Sequence, residues 1–310
     1  MIYHTIISGI DKLSDKNEAL LSQLSSFEYK YISKSEIKNN LNNCDIFWFR
    51  LNHKLDREVL RKVRCKVIIC AATGLDHIDE IACNDYNIKV ISLRGDFEFL
   101  SNIRATAEHT MALTFSLLRK LKYSYSHVES GNWDRTLFKG NEIYKKNVGI
   151  LGFGRLGKLT AEYFSAFGAN VSFFDIREIN ETKYIRKTSI ESLITNIDIL
   201  SIHIPYNPKT KNLLNYNNLK KIKCNSIIIN TSRGGIINEN DLCKLIKNGI
   251  INGYAADVIY REPEINDSPI YKLSKNNQNI IITPHIGGNT FESIELTENH
   301  VLLKLLKLLS

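Results

Sequence analysis

Cysteine is scarce in this chain. Six residues (Cys44, Cys65, Cys70, Cys83, Cys224 and Cys243) are scattered through 310 positions, and none forms a CxxC pair. That excludes a disulfide framework and argues against a structural metal site, so no metal is expected. Small buried or half-buried free thiols are the plain expectation. Long apolar runs are missing too: none approaches the roughly 18–20 residues that cross a bilayer. Met1–Asp11 has neither the basic start nor the cleavage site of a signal peptide and reads as a first β-strand, so a cytoplasmic protein without a membrane partner is expected. A dense basic tract with interleaved aromatics is also absent. The net charge of +8, from 41 Lys and Arg against 33 Asp and Glu, is spread along the chain. It serves solubility, or attraction of small anions, as well as it serves nucleic acid, and no nucleic-acid partner is expected.

What remains is an ordinary globular composition, 43% apolar and 24% charged. The length exceeds that at which one core usually stops growing, which predicts two domains. Short β-rich runs occur at Met1–Gly9, Cys44–Arg50, Lys66–Ala71 and Lys89–Ser92. A helical pattern, Asn102–Lys122, follows. Further strand candidates are Asn147–Leu151, Asn170–Asp175, Asp198–Ile204, Asn225–Asn230, Asn252–Asp257 and Asn279–Thr283, with helical segments between most of them. Near-continuous apolar strands alternating with helices predict an α/β protein with two doubly wound parallel-sheet domains. The tail Val301–Ser310 reads as an amphipathic Leu/Lys helix packed back on a domain surface.

One segment carries a specific signal. Val148-Gly-Ile-Leu-Gly152-Phe-Gly154-Arg-Leu-Gly157 passes from a strand straight into a helix, Arg155–Phe167. Gly152 permits a tight turn, Gly154 lets backbone approach a pyrophosphate, and Gly157 lets helix and strand pack closely. The first turn of the helix, with Arg155 and Leu156, presents N–H groups and a positive dipole end to the phosphates. Asp175, at the end of the next strand, suits both adenosine ribose hydroxyls and repels a 2′-phosphate, which favours NAD over NADP. Arg177 weakens that preference.

Three polar residues stand just past buried strands. Arg233 lies in Asn230-Thr-Ser-Arg-Gly-Gly235, Glu262 in Asp257-Val-Ile-Tyr-Arg-Glu-Pro263, and His285 in Ile282-Thr-Pro-His-Ile-Gly-Gly288. Ligands of open α/β sheets bind at the carboxyl ends of strands. An arginine there can fork onto a carboxylate, and a histidine oriented by a carboxylate is a proton donor and acceptor.

These segments, with Cys70-Ala-Ala-Thr-Gly-Leu-Asp-His-Ile-Asp79, Asn102-Ile-Arg-Ala-Thr-Ala-Glu-His109 and Ser201-Ile-His-Ile-Pro205, resemble the D-isomer-specific 2-hydroxyacid dehydrogenases over nearly the whole chain. The resemblance implies a Rossmann dinucleotide-binding domain, about 102–287, inserted in a flavodoxin-like substrate domain, about 1–101 plus 288–310. It implies NAD as cofactor, a 2-hydroxy or 2-keto acid as substrate, and a homodimer. Arg233 would then grip the substrate carboxylate and polarise the keto oxygen, and His285, paired with Glu262, would move the proton. Thr73 and Gly74 would bind the second carboxylate oxygen through their N–H groups. The Asp257 carboxylate and the Thr231 carbonyl would hold the nicotinamide amide. His203, Pro205 and Thr210 would line the adenosine side, and Gly287, with Arg233 and His285, would border the cofactor.

Arg50 follows a strand of the first domain and is a candidate for the distal end of the substrate, against a plainer reading as an exposed loop residue. Arg94-Gly-Asp-Phe-Glu-Phe-Leu100 is bulkier and more charged than the small-residue segment usual in the family, and is similar to members associated with bacterial surface-polysaccharide gene sets. The chain ends soon after the substrate domain closes, so no serine-responsive regulatory domain is expected. Two other function classes stay open on the same scaffold: a formate- or phosphite-type dehydrogenase, and a non-catalytic NAD-sensing protein similar to transcriptional co-repressors.

Overall fold

The structure, a computed structural model, describes residues 3–181 and 183–309. Met1 and Ile2 of the expected first strand, and Ser310 of the expected last helix, lie outside the described residues. The chain divides into two compact units: Met1–Asn102 with Thr290–Ser310, and Ile103–Asn289. The second unit is therefore inserted between two segments of the first.

The first unit is built on β1 (Tyr3–Ser8), β2 (Ser25–Tyr29), β3 (Ile46–Phe49), β4 (Val67–Cys70) and β5 (Lys89–Ser92), in the order β2-β1-β3-β4-β5. Every pairing is parallel. β3 (IFWF) and β4 (VIIC) are buried at all their positions, as expected of central strands covered by helices on both faces. Burying each such side chain contributes about 1.5–3 kcal/mol. The last helix, Phe291–Leu309, begins ten residues before the expected tail helix and buries Val301, Leu302 and Leu305. Asp96 holds it, pairing with His300 Nε2 at 3.0 Å and Lys304 Nζ at 2.8 Å, while Phe99 stacks on His300 with ring centroids 3.8 Å apart. The distinctive 94–100 segment thus docks a helix.

The second unit carries β6 (Asn147–Leu151), β7 (Asn170–Phe174), β8 (Ile185–Arg186), β9 (Ile199–Ile202), β10 (Ser226–Asn230), β11 (Ile251–Ala256) and β12 (Ile280–Ile282). The order is β12-β11-β10-β9-β6-β7-β8, and again every pairing is parallel. The connection reverses direction between β6 and β9, which opens a crevice at their carboxyl ends. The expected helix Asn102–Lys122 is shorter: Ala105–Leu118 ends at Arg119, Lys120 takes a left-handed φ of 54°, and a second helix runs Leu121–Glu129. Five cysteines are buried and Cys224 is exposed. Among the described residues no helix is long and apolar enough to cross a membrane, and no cluster of His, Cys, Asp and Glu could hold a metal ion.

Candidate active site

Register places the candidate residues of the second unit on one level. Phe174 lies opposite Leu151, Leu151 opposite Ile202, Ile202 opposite Asn230, Asn230 opposite Ala256, and Ala256 opposite Ile282. One residue beyond that row come Asp175, Gly152, His203, Thr231, Asp257 and Thr283. With neighbouring strands about 4.8 Å apart, Asp175 and Asp257 are separated by roughly 19 Å along the crevice.

At the centre is the glycine turn. Gly152 has φ +91°, and a Cβ there would lie 2.7 Å from the His203 carbonyl oxygen. A Cβ on Gly157 would lie 2.1 Å from the Gly152 oxygen. Gly154 is different: its Cβ direction is open, with the Arg177 guanidinium nearest at 3.7 Å. It caps the helix Arg155–Ala166, whose first N–H groups have no intrahelical acceptor. The turn therefore offers bare backbone and free donors to an anion, which fits a pyrophosphate. Leu156 is half-buried in that first turn. The Arg155 guanidinium turns inward to the Ile103 carbonyl at 2.6 Å, leaving its backbone as the part facing the turn.

At one end Asp175 accepts the Phe153 N–H at 2.8 Å and the Arg177 N–H at 2.9 Å, and Arg177 forks onto it through Nε and Nη2, both at 3.0 Å. Burial pushes its carboxyl up, but Arg177 and the N–H groups outweigh burial and leave it below the usual carboxylate range. It is ionised and can accept further hydrogen bonds. His203 joins Nε2 to Ser201 Oγ at 2.8 Å, while its Nδ1 is buried without a partner. Thr210 spends its hydroxyl inside its own turn, donating to the Pro205 carbonyl at 2.7 Å and accepting the Asn207 N–H at 2.8 Å. Pro205 is exposed.

At the other end His285 Nδ1 meets Glu262 Oε1 at 2.6 Å, with side chains 26% and 31% exposed. A carboxylate only accepts, so Nδ1 carries hydrogen and Nε2, across the ring, is the atom that gains or gives a proton. The backbone of His285 is left-handed, φ +55°, a conformation costing an L residue roughly 1–2 kcal/mol. Asp257 enforces it. Its carbonyl accepts the His285 N–H at 2.9 Å, and its carboxylate accepts Thr283 Oγ1 at 2.6 Å, the Ile286 N–H at 2.8 Å and the Gly287 N–H at 2.6 Å. A Cβ on Gly287 would sit 2.9 Å from that carboxylate. Burial raises the Asp257 pKa, but hydrogen bonds from His109, Thr283 and the two amides bring it below its ordinary value. Thr231 bonds to Thr110 between hydroxyls at 2.8 Å.

Arg233 begins the short turn Gly234–Ile236, and its carbonyl is held by Asn230 Nδ2 at 3.1 Å. A Cβ on Gly234 would lie 2.0 Å from the carbonyl carbon of Ile259, so the Arg233 turn is pressed against the segment that leads to Glu262. Buried Glu239, which the sequence reading missed, pins that segment by accepting the Tyr260 N–H at 2.8 Å and Ser268 Oγ at 2.7 Å. In the first unit, Thr73 is exposed and Gly74 half-buried after β4. Arg50 is neither an exposed loop residue nor uncommitted: it pairs with nearly buried Glu298 at 2.8 Å.

Sheet order, glycine turn and the acid just past β7 together fit a dinucleotide-binding α/β protein. Residues 111–287 match the family model for the D-isomer specific 2-hydroxyacid dehydrogenase NAD binding domain. The chain belongs to that family, and its cofactor is NAD. It is 33% identical over 267 residues to D-3-phosphoglycerate dehydrogenase of Methanocaldococcus jannaschii, covering 84% of this chain and 49% of that protein. The Bacillus subtilis protein of that name is 31% identical over 287 residues, covering 91% and 53%. The chain spans about half the length of these relatives. Among solved structures, the acyclic imino acid reductase Bsp5 in complex with NADPH and D-Arg superposes with a TM-score of 0.85 at 26% identity, covering 99% of this chain and 96% of that one. The NAD-dependent formate dehydrogenase of Staphylococcus aureus gives 0.85 at 25%, also covering 99% and 96%.

Proposed function

We propose that the chain is an NAD-dependent oxidoreductase that interconverts a D-2-hydroxy acid and its 2-keto acid. The observation that carries this reading is the His285–Glu262 pair at 2.6 Å, set at the strand ends of an NAD-binding unit. When bound, NAD supplies the hydride donor or acceptor at nicotinamide C4. In the reducing direction His285 delivers the proton from Nε2 to the keto oxygen, and in the oxidising direction the neutral ring removes it. Glu262 fixes the ring and balances its charge. Arg233 grips the substrate carboxylate through its planar fork and draws electron density from the keto oxygen. Asp257 holds the His285 loop and, with the Thr231 carbonyl, orients the nicotinamide amide.

The same reading takes the working protein as a homodimer, supported by exposed Tyr125, Val128, Trp133, Leu137 and Tyr144 in one segment of the second unit. The test is a panel of 2-keto acids (glyoxylate, hydroxypyruvate, pyruvate, 2-oxoglutarate, branched and aromatic acids) with NADH, followed at 340 nm, with His285→Ala as control. Formate and phosphite with NAD⁺ complete the panel. Turnover of either of these, with none of any keto acid, would replace the reading.

A further inference from the structure

A second histidine lies behind the proton-transfer loop. His109, on the helix Ala105–Leu118, places Nε2 3.0 Å from Thr283 Oγ1 and 3.3 Å from Asp257 Oδ1. Thr283 gives its one hydroxyl hydrogen to Asp257 Oδ1 at 2.6 Å. Towards His109 that oxygen can only accept, so Nε2 of His109 carries a hydrogen. The proton inventory fixes the tautomer.

The Asp257 carboxylate accepts hydrogen bonds from Thr283, Ile286 and Gly287, all in the loop it restrains. His109, on a different element, gives its Nε2 hydrogen to the Thr283 hydroxyl that in turn donates to Asp257, with Asp257 Oδ1 itself 3.3 Å away. The Asp257 side chain is 3% exposed, so water cannot replace a lost donor there without rearrangement. Since the carboxylate grips the chain on both sides of His285, any freedom it gains passes to a residue held in left-handed backbone. That residue has a more relaxed conformation available.

We propose that His109 is a positioning residue: its Nε2–H fixes the Thr283 hydroxyl against the Asp257 carboxylate, and through them the 283–287 loop that aims the His285 ring. The proposal rests on the reading of His285 as the proton-transfer group. A histidine in the middle of a helix is here part of the site's support, 174 residues from the loop it steadies.

The experiment compares His109→Leu with His109→Gln, which keeps an N–H donor at similar reach. Amide hydrogen exchange at Ile286 and Gly287 is read by NMR, kcat and KM with NADH and the best keto acid, and the NADH Kd by fluorescence. His109→Leu should speed exchange at both amides about tenfold and lower kcat about tenfold, a change of about 1.4 kcal/mol. The keto-acid KM and the NADH Kd should stay within twofold to threefold, and His109→Gln should recover most of both losses. In a His285→Ala background, His109→Leu should cost nothing more, whereas a general packing defect lowers kcat in both backgrounds. Unchanged exchange in His109→Leu overturns the clamp, whether or not turnover is seen. Faster exchange with full kcat overturns the link to His285. If the wild type reduces no keto acid, the reading of His285 fails, and exchange alone then decides the clamp.

Discussion

Replacing Arg177 by alanine should sharpen the discrimination between NADH and NADPH. Two of the hydrogen bonds on the Asp175 carboxylate come from backbone N–H groups, at 2.8 and 2.9 Å, and survive the change. The guanidinium, 63% exposed, supplies the other two. A pair with one partner this exposed is worth about 0–1 kcal/mol, so ribose hydroxyls can displace it at little cost. Its charge matters more to a 2′-phosphate, which would face Asp175 and Arg177 together. At a separation of about 6 Å, and an effective dielectric between 20 and 80, one unit charge contributes roughly 0.7–3 kcal/mol. The wild type should therefore favour NADH by about tenfold in kcat/KM, and Arg177→Ala by about a hundredfold, with the loss on the NADPH side. Asp175→Ala should do the opposite and bring the two cofactors close to parity. Initial rates with each cofactor, at 0.1 M and 1 M salt, measure this. Screening lengths of about 10 and 3 Å should shrink the Arg177 effect at the higher salt. A cofactor ratio that stays within twofold of wild type in Arg177→Ala would refute the placement of this guanidinium at the ribose 2′ position.

Three further outcomes are expected. Glu262→Gln keeps a hydrogen-bonding partner for His285 but removes the charge, and should lower kcat for keto-acid reduction about tenfold, against about 10²–10⁴-fold for His285→Ala; equal losses in steady-state assays would mean that Glu262 does more than hold the ring. Arg233→Lys should raise KM and lower kcat together while the NADH Kd moves less than twofold, because an ammonium cannot fork onto a carboxylate; wild-type kcat/KM in that variant would remove Arg233 from the site. Burial pushes the His203 imidazole down from 6.5 to about 3, so the unfolded chain takes up a proton that the native ring refuses, and stability falls as pH drops through that window. Between pH 7.5 and 5 this costs about 2 kcal/mol, and urea denaturation of His203→Gln should show the acid loss smaller by that amount; identical losses in both proteins would refute the assignment.

Most of the candidate site could be proposed from sequence because its residues follow apolar strands directly. Asn225–Asn230 and Asn279–Thr283 stand out as buried runs, and the chemistry sits one to three residues past them. Other features have no such flag. β2 (SSFEY) pairs with β1 at the edge of its sheet, and three of its five residues are Ser or Glu. β8 has two residues, too few for any period. The break at Lys120 depends on one left-handed residue between two good helical patterns. Arg50 reads as a loop residue until the fold brings up Glu298, 248 positions away. His109 and Glu239 sit inside helical patterns like ordinary polar residues, and only tertiary structure supplies their partners. Local pattern marks strand ends; it is silent on the groups that hold them still.

What aligns those ends is partly one irregularity. Ser226 lies opposite Ile251, but Ile227 lies opposite Gly253, so β11 carries an extra residue, Asn252, against β10. Beyond the bulge Ala256 faces Asn230, and Asp257 follows level with Thr231. Continued without it, the first pairing would set Ala255 opposite Asn230 and carry Asp257 about 3.3 Å further along the strand. Side chains alternate with a period of two, so that slip would also turn the carboxylate to the other face of the sheet. The Ile286 and Gly287 amides and the Thr283 hydroxyl would then lose their acceptor, and His285 its reason to stay left-handed. Gly253 makes room for the arrangement, since a Cβ there would press at 3.1 Å on the Asn279 carbonyl and on Leu117. The geometry of the His285 loop is thus set five residues upstream of Asp257, in a strand that contributes none of the three candidate catalytic residues.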